Sequence, residues 1–454
     1  MSAAAGVRRA PDLEVAVVGA GAAGLAAAAA LARGGCEVGV FEASARAGGA
    51  AWSEERGGFL VERGAQTFRI GPAVDRFLRE HAVDDLLVAA SPASRERFLA
   101  RGDRLLPVPL SPTAFAASEL LSARGKLRLL AEPFVRAGDA TGESVARFTR
   151  RRLGPEACDR LVAAFLVGVY AGDPSQLGAE AVFPELVAAE RRHGSIARGL
   201  LARRLAGGAR GRAGSWSARG GLGGLAASLA GDLGAALHLG APVSHIAFEE
   251  DGYRFEIEGE SGPVTARGLV LAVPAREAAA LVAPLDPDAA KALDAITHAP
   301  IASVSIGVET SARIRGFGFL VPGEDREALL GCVFPSALFP GRAPAGRALV
   351  TALLGGLRRP DAVDWPDERL VAEVERALDR WVGVRGAAEP LAVTRWPRAV
   401  AQPGCEQPRR VAGVRARLAR YPRLLLAGSH LDGVAFGDAL ASGAAAAQRL
   451  LEAR

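Results

Sequence analysis

The hydrophobic pattern at the start of the chain predicts a β-α-β unit. Residues 14–18 (EVAVV) form a short apolar run of the kind that makes a buried strand. An alanine-rich apolar run at 25–32 predicts a helix, and residues 36–42 (CEVGVFE) predict a second strand. A strand, a helix and a second strand in this order are typical of a parallel sheet that is covered by helices.

The pattern changes twice further along the chain. Residues 72–210 are rich in amphipathic helical spacing, whereas residues 298–356 contain short apolar strands separated by proline, glycine and charged turns. We therefore expect a helical region over 72–213 whose apolar faces contact a membrane surface. A sheet-based substrate-binding domain is expected over 276–392.

The nucleotide-binding part of this α/β protein is predicted to be a discontinuous, Rossmann-like domain. It would comprise residues 1–71, 214–275 and 393–454. Within the second of these segments, residues 238–259 predict strands joined by a turn at Asp251–Gly252.

Composition and charge exclude some classes of function. The 454 residues, half of them hydrophobic, suffice for two or three domains with sizeable cores. The formal net charge is +5, and nearly all of the positive charge is arginine, because Lys126 and Lys291 are the two lysines. The basic residues are scattered and are not flanked by runs of aromatic residues, so nucleic-acid binding is not expected.

The cysteines and the start of the chain bear on the cellular compartment. The four cysteines are single and widely spaced: Cys36, Cys158, Cys332 and Cys405. This spacing predicts neither a metal site nor a disulfide framework, and it fits a reducing compartment. The apolar segment after Arg8 and Arg9 runs into a glycine-rich motif, and no run of 18 apolar residues follows. We therefore expect a cytoplasmic protein with no export signal and no transmembrane helix.

Glycines follow the first strand in the spacing of a dinucleotide-binding turn. Gly19, Gly21 and Gly24 form GxGxxG between the predicted strand and helix. They would permit, in order, a tight turn, close approach to a pyrophosphate, and close packing of the helix on the strand. The helix would begin at Ala22 and Ala23 and present N–H donors to the phosphates. The alternative is an alanine- and glycine-rich turn without a ligand.

The second strand ends on an acid that is followed by a second glycine motif. Glu42 stands where a carboxylate would accept hydrogen bonds from ribose hydroxyls, with Ala43 beside it. Arg46 and the doublet Gly48-Gly49 come next, and this order resembles the GG-doublet flavoenzymes: amine oxidases, carotene desaturases and protoporphyrinogen oxidases. The resemblance implies non-covalent FAD, with the arginine and the doublet near its pyrophosphate.

The same resemblance implies FAD contacts elsewhere in the chain. Six of these positions are Gly64, Ala65, Gln66, Thr67, Val243 and Trp396. Near the end of the chain, the pattern predicts a strand, a glycine loop and a helix. Val434, Ala435 and Phe436 in that loop are expected to pass the flavin ring, where the helix dipole would favour the negative charge of reduced flavin.

Within this superfamily, five collinear blocks resemble the oxygen-dependent protoporphyrinogen oxidase family. The blocks span residues 143–177, which contain GVYAGDP near their end, residues 183–200, residues 316–322 with 339–344, residues 395–399 (RWPRA) and residues 433–443. Relatives that oxidise coproporphyrinogen share these blocks, so the tetrapyrrole class of the substrate is better defined than its side chains. The run Val400-Ala401-Gln402-Pro403 and the residues after it depart from the family pattern.

The resemblance also assigns five residues to a substrate pocket. Arg97 matches an arginine that binds a propionate, and Gly168 matches a glycine that leaves room for the macrocycle. Leu320, Val333 and Leu353 match apolar positions on either side of the ring, although Leu353 replaces an aromatic residue of some relatives. Without the resemblance, Arg97 would be taken as a surface arginine and the apolar residues as ordinary core.

The implied reaction removes six electrons from a porphyrinogen in three steps, with hydride transfer to flavin and reoxidation by O2 to hydrogen peroxide. Placement of the substrate against the flavin and electrostatic stabilisation would suffice for this reaction, so no catalytic side chain is assigned.

The partners that the resemblance implies are the porphyrinogen, O2, a membrane surface, ferrochelatase and a second copy of the chain. Amine oxidation, desaturation and a non-catalytic flavin-binding role are the alternatives.

Overall fold

The computed structural model describes residues 12–207, 211–250, 252–309, 314–322, 327–384 and 388–454. Arg8 and Arg9, and Asp251 of the expected turn, lie outside these ranges. The strands are β1 Leu13–Val18, β2 Val38–Glu42, β3 Ser53–Arg56, β4 Phe59–Glu62, β5 Phe68–Ile70, β6 Leu87–Ala89, β7 Phe98–Arg101, β8 Arg104–Pro107, β9 Arg212–Ala218, β10 Leu237–Leu239, β11 Val243–Glu249, β12 Gly252–Ile257, β13 Val264–Leu271, β14 His298–Glu309, β15 Gly318–Leu320, β16 Leu329–Val333, β17 Arg347–Gly355, β18 Glu389–Ala401 and β19 Leu424–Leu426.

The helices vary from single turns to seventeen residues. They are α1 Ala22–Arg33, α2 Pro72–Glu80, α3 Pro112–Ala117, α4 Ala123–Leu130, α5 Val145–Leu153, α6 Pro155–Ala157, α7 Ala163–Tyr170, α8 Ala179–Val182, α9 Pro184–His193, α10 Ile196–Ala206, α11 Gly221–Gly231, α12 Ala275–Val282, α13 Pro287–Asp294, α14 Pro335–Leu338, α15 Asp367–Ala377, α16 Gln407–Leu418, α17 Ser429–Asp432 and α18 Phe436–Glu452.

The first sheet carries the expected nucleotide-binding topology. Its strands run in the order β10-β2-β1-β13-β12-β11, with β19 also paired to β13. The pairs β10–β2, β2–β1, β1–β13 and β13–β19 are parallel, while β11, β12 and β13 form an antiparallel meander. Residues 15–18 are buried because helices cover this part of the sheet.

Two helices pack on the first sheet with very close backbones. A Cβ on Gly443 of α18 would lie 1.9 Å from the carbonyl oxygen of Ala23 in α1. Such an approach needs a residue without a side chain. This contact brings the middle of α18 against the first turn of α1.

The second sheet has the order β18-β14-β17-β16-β15-β7-β8. Strand β14, next to the edge strand β18, is buried along most of its length, and one face packs on α15. Two parts of the sheet differ from the expected domain limits. The hairpin β7–β8 comes from the predicted helical region, and residues 393–401, expected in the FAD domain, continue β18. Both segments are short or polar on one face, so their hydrophobic periodicity does not indicate which sheet they join. Strand pairing in the folded chain decides their position instead.

A buried ionic network holds the helical region together. Arg152 of α5 is fully buried and pairs with the carboxylate of Glu132. That carboxylate also accepts hydrogen bonds from the Ser195 hydroxyl at 2.7 Å and from the Ile196 N–H at 2.9 Å. The network joins the segment before α5 to the start of α10 and satisfies charges that would otherwise be costly to bury.

In the described ranges, no helix is both long enough and apolar enough to span a lipid bilayer.

Candidate active site

The three glycines of the first motif are distinguished by what surrounds them. Gly19 has a φ of +97°, and a Cβ there would lie 2.7 Å from the carbonyl oxygen of Ala272 on the adjoining strand end. A Cβ on Gly24 would lie 1.8 Å from the carbonyl oxygen of Gly19. A Cβ on Gly21 would meet no atom of the chain within 4 Å. Gly19 and Gly24 are thus required by the fold, whereas Gly21 borders open space.

The carboxylate of Glu42 is fixed beside this turn. One oxygen accepts a hydrogen bond from the Ala20 N–H at 2.7 Å, and the other accepts bonds from the backbone N–H and hydroxyl of Ser44 at 2.9 and 2.8 Å. The carboxylate keeps further lone pairs for hydroxyl donors. Its predicted ribose contact remains a prediction, as does that of the adjacent Ala43.

The glycine doublet packs directly on the first glycine motif. The Gly48 N–H donates to the Ala20 carbonyl at 2.8 Å, and a Cβ on Gly49 would lie 3.2 Å from the Cα of Gly21. Gly48 and Gly49 have φ values of +107° and +57°, which favour glycine. The start of α1, with Ala22 and Ala23, and the doublet therefore form one continuous surface, where the pyrophosphate is predicted to bind.

Arg46 stabilises the loop that carries the glycine doublet Gly48-Gly49. Its guanidinium donates to the Gly49 carbonyl at 2.6 Å and lies 4.3 Å from the Trp52 ring centroid. Arg63 lies 4.5 Å from the same ring. Burial lowers the pKa of Arg46, against the opposing effect of Glu42. Sequence reasoning missed Trp52 and Arg63, since a single tryptophan in an arginine-rich chain carries no recognisable spacing.

Residues 64–67 run alongside the doublet. The Ala65 N–H donates to the Ala50 carbonyl at 3.1 Å. The Gln66 amide donates to the carbonyls of Glu62 and Gly64, yet its Oε1 is buried and has no hydrogen-bond partner in the described ranges. The Trp396 indole donates to the Arg63 carbonyl at 3.0 Å, which joins β18 to this segment. Thr67 follows Gln66 and is half-buried, and its predicted FAD contact remains a prediction.

The loop before α18 completes this region. Gly433 has a φ of +144°, and the Asp438 carboxylate caps the helix by accepting from the Ala435 N–H at 3.1 Å. The Phe436 ring packs edge-on against Phe68, with centroids 5.4 Å apart. Val434 lies against the same hydrophobic cluster as Val243 at the start of β11. The predicted flavin loop therefore meets both the first sheet and the segment after β4.

These residues fit FAD on observations of the structure itself. The Cβ direction of Gly21 is open, the doublet presents bare backbone beside it, and the buried Oε1 of Gln66 lacks a donor. A pyrophosphate suits the first two features, and a flavin N–H would satisfy the third. The individual contacts remain predictions.

The predicted substrate residues gather around α7. A Cβ on Gly168 would lie 2.9 Å from the methyl carbons of Leu320 on β15, so the helix packs closely on the strand at this glycine. Val333 on β16 pairs with Gly318, and Leu353 on β17 pairs with Gly331. Leu320, Val333 and Leu353 are partly buried, and the Gly168 backbone is exposed.

Arg97 immediately precedes β7, which pairs with β15 next to Leu320. The residue is exposed overall, but its guanidinium lies 4.7 Å from the Phe317 ring centroid. Burial of the guanidinium against this ring lowers the pKa of Arg97, and the positive charge of Arg69 lowers it further. No carboxylate in the described ranges pairs with it.

The segment that departs from the family pattern is tied to both halves of the site. The buried Gln402 amide donates to the Tyr170 carbonyl at 2.7 Å, and the Gln407 amide donates to the His430 carbonyl at 2.8 Å. Residues 400–411 therefore support the end of α7 and the loop before α18.

The two residues that accept these hydrogen bonds through their backbones have neutral side chains. Burial raises the pKa of Tyr170 to about 12 and lowers that of His430 to about 4, so both side chains are neutral near pH 7.

Comparison with known proteins identifies the family. The model of the flavin containing amine oxidoreductases matches residues 22–451. The chain is 33% identical over 423 residues to the chloroplastic protoporphyrinogen oxidase of Nicotiana tabacum, covering 87% of this chain and 77% of that one. It is 26% identical over 431 residues to the coproporphyrinogen III oxidase of Bacillus subtilis (strain 168), covering 90% of each.

A solved structure supports the fold independently. The crystal structure of a candidate protoporphyrinogen oxidase from Exiguobacterium sp. 255-15 superposes with a TM-score of 0.80 at 24% identity, covering 98% of this chain and all of that one. At this identity, the likeness speaks for the fold alone. The family match, together with the glycine motifs, supports FAD as the cofactor. The chain belongs to the flavin containing amine oxidoreductase family.

Proposed function

We propose that the protein is a protoporphyrinogen oxidase, which uses FAD and O2 to convert protoporphyrinogen IX to protoporphyrin IX in haem biosynthesis. The observation that carries the proposal is the position of α7. Through Gly168 the helix packs on Leu320 of the second sheet. Through the cluster that contains Tyr170 it contacts Val434 of the predicted flavin loop. The GVYAGDP block thus lies between the cofactor region and the apolar strands.

Bound FAD would supply the redox chemistry, by accepting hydride and passing electrons to O2. The chain's own contribution is placement. Gly168 lets α7 pack directly on Leu320 of β15, and Leu320, Val333 and Leu353 offer an apolar surface to a flat macrocycle. The neutral states of Tyr170 and His430 keep uncompensated charge away from this region. The geometry calls for no general base.

Porphyrin fluorescence tests the function and its nearest alternative. FAD-loaded protein should generate fluorescent protoporphyrin from protoporphyrinogen, with a rate above non-enzymatic oxidation. Coproporphyrinogen is measured in parallel, because one relative acts on that substrate. A higher kcat/KM for coproporphyrinogen would replace the proposed substrate, and turnover of neither would reject the oxidase function.

Arg97→Ala should weaken the use of a carboxylate-bearing porphyrinogen by about tenfold in kcat/KM. Loss of one partner of a charge pair costs more when both are desolvated, and Arg97 is exposed, so a modest effect is expected. Most of the change should lie in KM, since the contact is the same in the ground and transition states. Arg97→Lys should recover part of the loss.

Arg95→Ala is the matched control, because Arg95 is also exposed and lies two residues away. It should leave kcat/KM unchanged. The ester of the same porphyrinogen, which has no carboxylate, should be indifferent to Arg97→Ala. Equal kcat/KM of the wild type and Arg97→Ala on the free acid would show that Arg97 is outside the pocket.

We also propose that an apolar patch on the helical region contacts an anionic lipid surface. The patch comprises the exposed side chains Leu127, Leu130, Phe134, Leu201 and Leu205. Phe134 and Leu205 are 85% and 79% exposed, and α10 packs beside the turn that carries Phe134. Exposed arginines, including Arg124, Arg198 and Arg204, lie on α4 and α10 and complement anionic headgroups.

The double variant Phe134→Ser/Leu205→Ser should sediment less with anionic liposomes at low salt than the wild type, because it loses apolar area that enters the interface. Leu239→Ser, at a 44% exposed leucine of β10, is the control and should sediment normally. Equal sedimentation of all three proteins would reject the patch. Ferrochelatase and a second copy of the chain remain predicted partners.

A further inference from the structure

Two buried glutamines follow β18, and each donates a hydrogen bond to a different half of the candidate site. Gln402 and Gln407 are 5% and 4% exposed. The Gln402 amide donates to the Tyr170 carbonyl at the end of α7, whereas the Gln407 amide donates to the His430 carbonyl ahead of the predicted flavin loop. A buried amide is costly unless its donors are satisfied, so each glutamine fixes the backbone position that it contacts.

The end of α7 is held by contacts from outside the helix. The carbonyl of Tyr170, its last residue, is one of those that a helix leaves without an intrahelical donor. Gln402 supplies a donor at 2.7 Å, and the same amide donates to the Val400 carbonyl of β18 at 3.0 Å. The next residue, Ala171, has a φ of +49°, which is unfavourable for a residue with a side chain. Its carbonyl accepts from the Leu357 N–H at 2.9 Å, so the sharp turn after α7 is fixed from two sides.

The side-chain oxygen of Gln402 lies against Gly172. This Oε1 is buried and has no hydrogen-bond partner in the described ranges, and a Cβ on Gly172 would lie 2.4 Å from it. The two N–H donors of the amide therefore set its orientation, and Gly172 leaves the room that the oxygen needs.

The end of α7 that Gln402 holds borders the residues assigned to the macrocycle. Leu353 of β17 packs against the hydrophobic cluster that contains Val167 and Ala171. Gly168, between those two residues, packs on Leu320 of β15. A shift of the helix end would therefore change the spacing of the predicted substrate surface.

We propose that Gln402 is a positioning residue of the tetrapyrrole site, which sets the space for the macrocycle by holding the end of α7 against β18. The inference rests on the proposed function. Gln402 acts through α7 and does not touch the macrocycle, because its oxygen is buried against Gly172. Gln407, five residues further on, acts on the cofactor side, because it holds the segment before the predicted flavin loop.

Equilibrium binding of the two ligands tests the inference without turnover. Gln402→Met and Gln407→Met keep the length of the side chain and remove its amide. FAD-loaded Gln402→Met should bind protoporphyrin about tenfold more weakly in a fluorescence titration, because the freed Tyr170 carbonyl moves toward another donor and binding must move it back. Its Kd for FAD should not change. Gln407→Met should show the reverse, with about tenfold weaker FAD binding and an unchanged Kd for protoporphyrin once FAD is saturating.

The pair of variants separates positioning from a general loss of stability. Both glutamines are buried to the same extent and each donates to a backbone carbonyl, so thermal unfolding should be affected similarly. An unchanged Kd of Gln402→Met for protoporphyrin, or equal weakening of both ligands in both variants, would overturn the inference.

Gly172→Ala tests the same contact with Gln402 in place. The added methyl would occupy the position of Oε1 and displace the amide, so protoporphyrin binding should again weaken. In a Gln402→Ala background there is no amide to displace, and Gly172→Ala should cause little further loss. Losses that simply add in the double variant would show that Gly172 does not act through Gln402 and would contradict the inference.

The wild-type activity keeps this result separate from the proposed function. If the wild type oxidises protoporphyrinogen and Gln402→Met retains the wild-type Kd for protoporphyrin, the function stands and the role of Gln402 falls. If the wild type neither binds the porphyrin nor oxidises the porphyrinogen, both fall.

Discussion

Gly21→Val should give a folded protein that binds no FAD. The backbone of Gly21 has φ −70° and ψ −177°, an extended conformation that valine adopts readily. A Cβ there would meet no atom of the chain, so the fold should tolerate the side chain. The same open space is where the pyrophosphate must approach the backbone, and valine would fill it. The flavin absorbance of the purified protein and its thermal unfolding measure the two effects.

Gly71→Val is a closely matched control. Gly71 stands at the start of α2 as Gly21 stands at the start of α1, with φ −74° and ψ 171°, and a Cβ there also meets nothing within 4 Å. This variant should retain full flavin content. Flavin bound normally by Gly21→Val would show that the pyrophosphate does not use this turn.

Arg342→Ala should lower the free energy of unfolding by roughly 3–5 kcal/mol, the usual result of leaving one member of a buried ion pair alone. Arg342 and Glu62 are 2% and 1% exposed, and their charged atoms are 3.1 Å apart. The Glu62 carboxylate also accepts from Ser53 at 2.6 Å and from the Leu222 N–H at 2.9 Å. The pair thus joins the loop before β17 to the FAD-binding half.

The loss should depend on pH in a defined direction. Burial raises the pKa of Glu62 despite the opposing effect of Arg342, and removing the arginine should raise it further. A carboxyl with a raised pKa in the folded state binds its proton more tightly there than in the unfolded chain. The stability of Arg342→Ala should therefore be greater at acid pH and should fall as the pH rises through the folded-state pKa.

Arg347→Ala provides the comparison five residues away. Arg347 pairs with Glu389 at 2.9 Å, but both side chains are partly exposed, so its loss should cost under about 1 kcal/mol. Adding Glu62→Gln to Arg342→Ala should restore part of the stability, because no buried charge is left unpaired. Denaturant unfolding that gives similar losses for Arg342→Ala and Arg347→Ala would contradict the assignment.

The parts of the fold that could be predicted are those with strong local periodicity. The strand–glycine–helix start and the acid at Glu42 follow from local hydrophobic pattern and turn chemistry. The hairpin β7–β8 and the continuation of β18 could not be placed, because their partners in the second sheet are distant in sequence. Strand pairing at this separation is set by tertiary packing rather than by local preference.

The candidate active site likewise depends on contacts between distant segments that local sequence patterns do not reveal. Gly168 and Leu320 come from blocks about 150 residues apart, and only a family resemblance suggested that they share a pocket; the structure brings them into contact.

The stoichiometry of oxidation tests the central claim most directly. Purified FAD-loaded protein is supplied with protoporphyrinogen in air-saturated buffer, and protoporphyrin and hydrogen peroxide are quantified together, with flavin-free Gly21→Val as the blank. Because six electrons leave each porphyrinogen in two-electron steps, three molecules of peroxide should accompany each porphyrin above the blank. Porphyrin formation no faster than in the blank, or without peroxide, would contradict an FAD- and oxygen-dependent protoporphyrinogen oxidase.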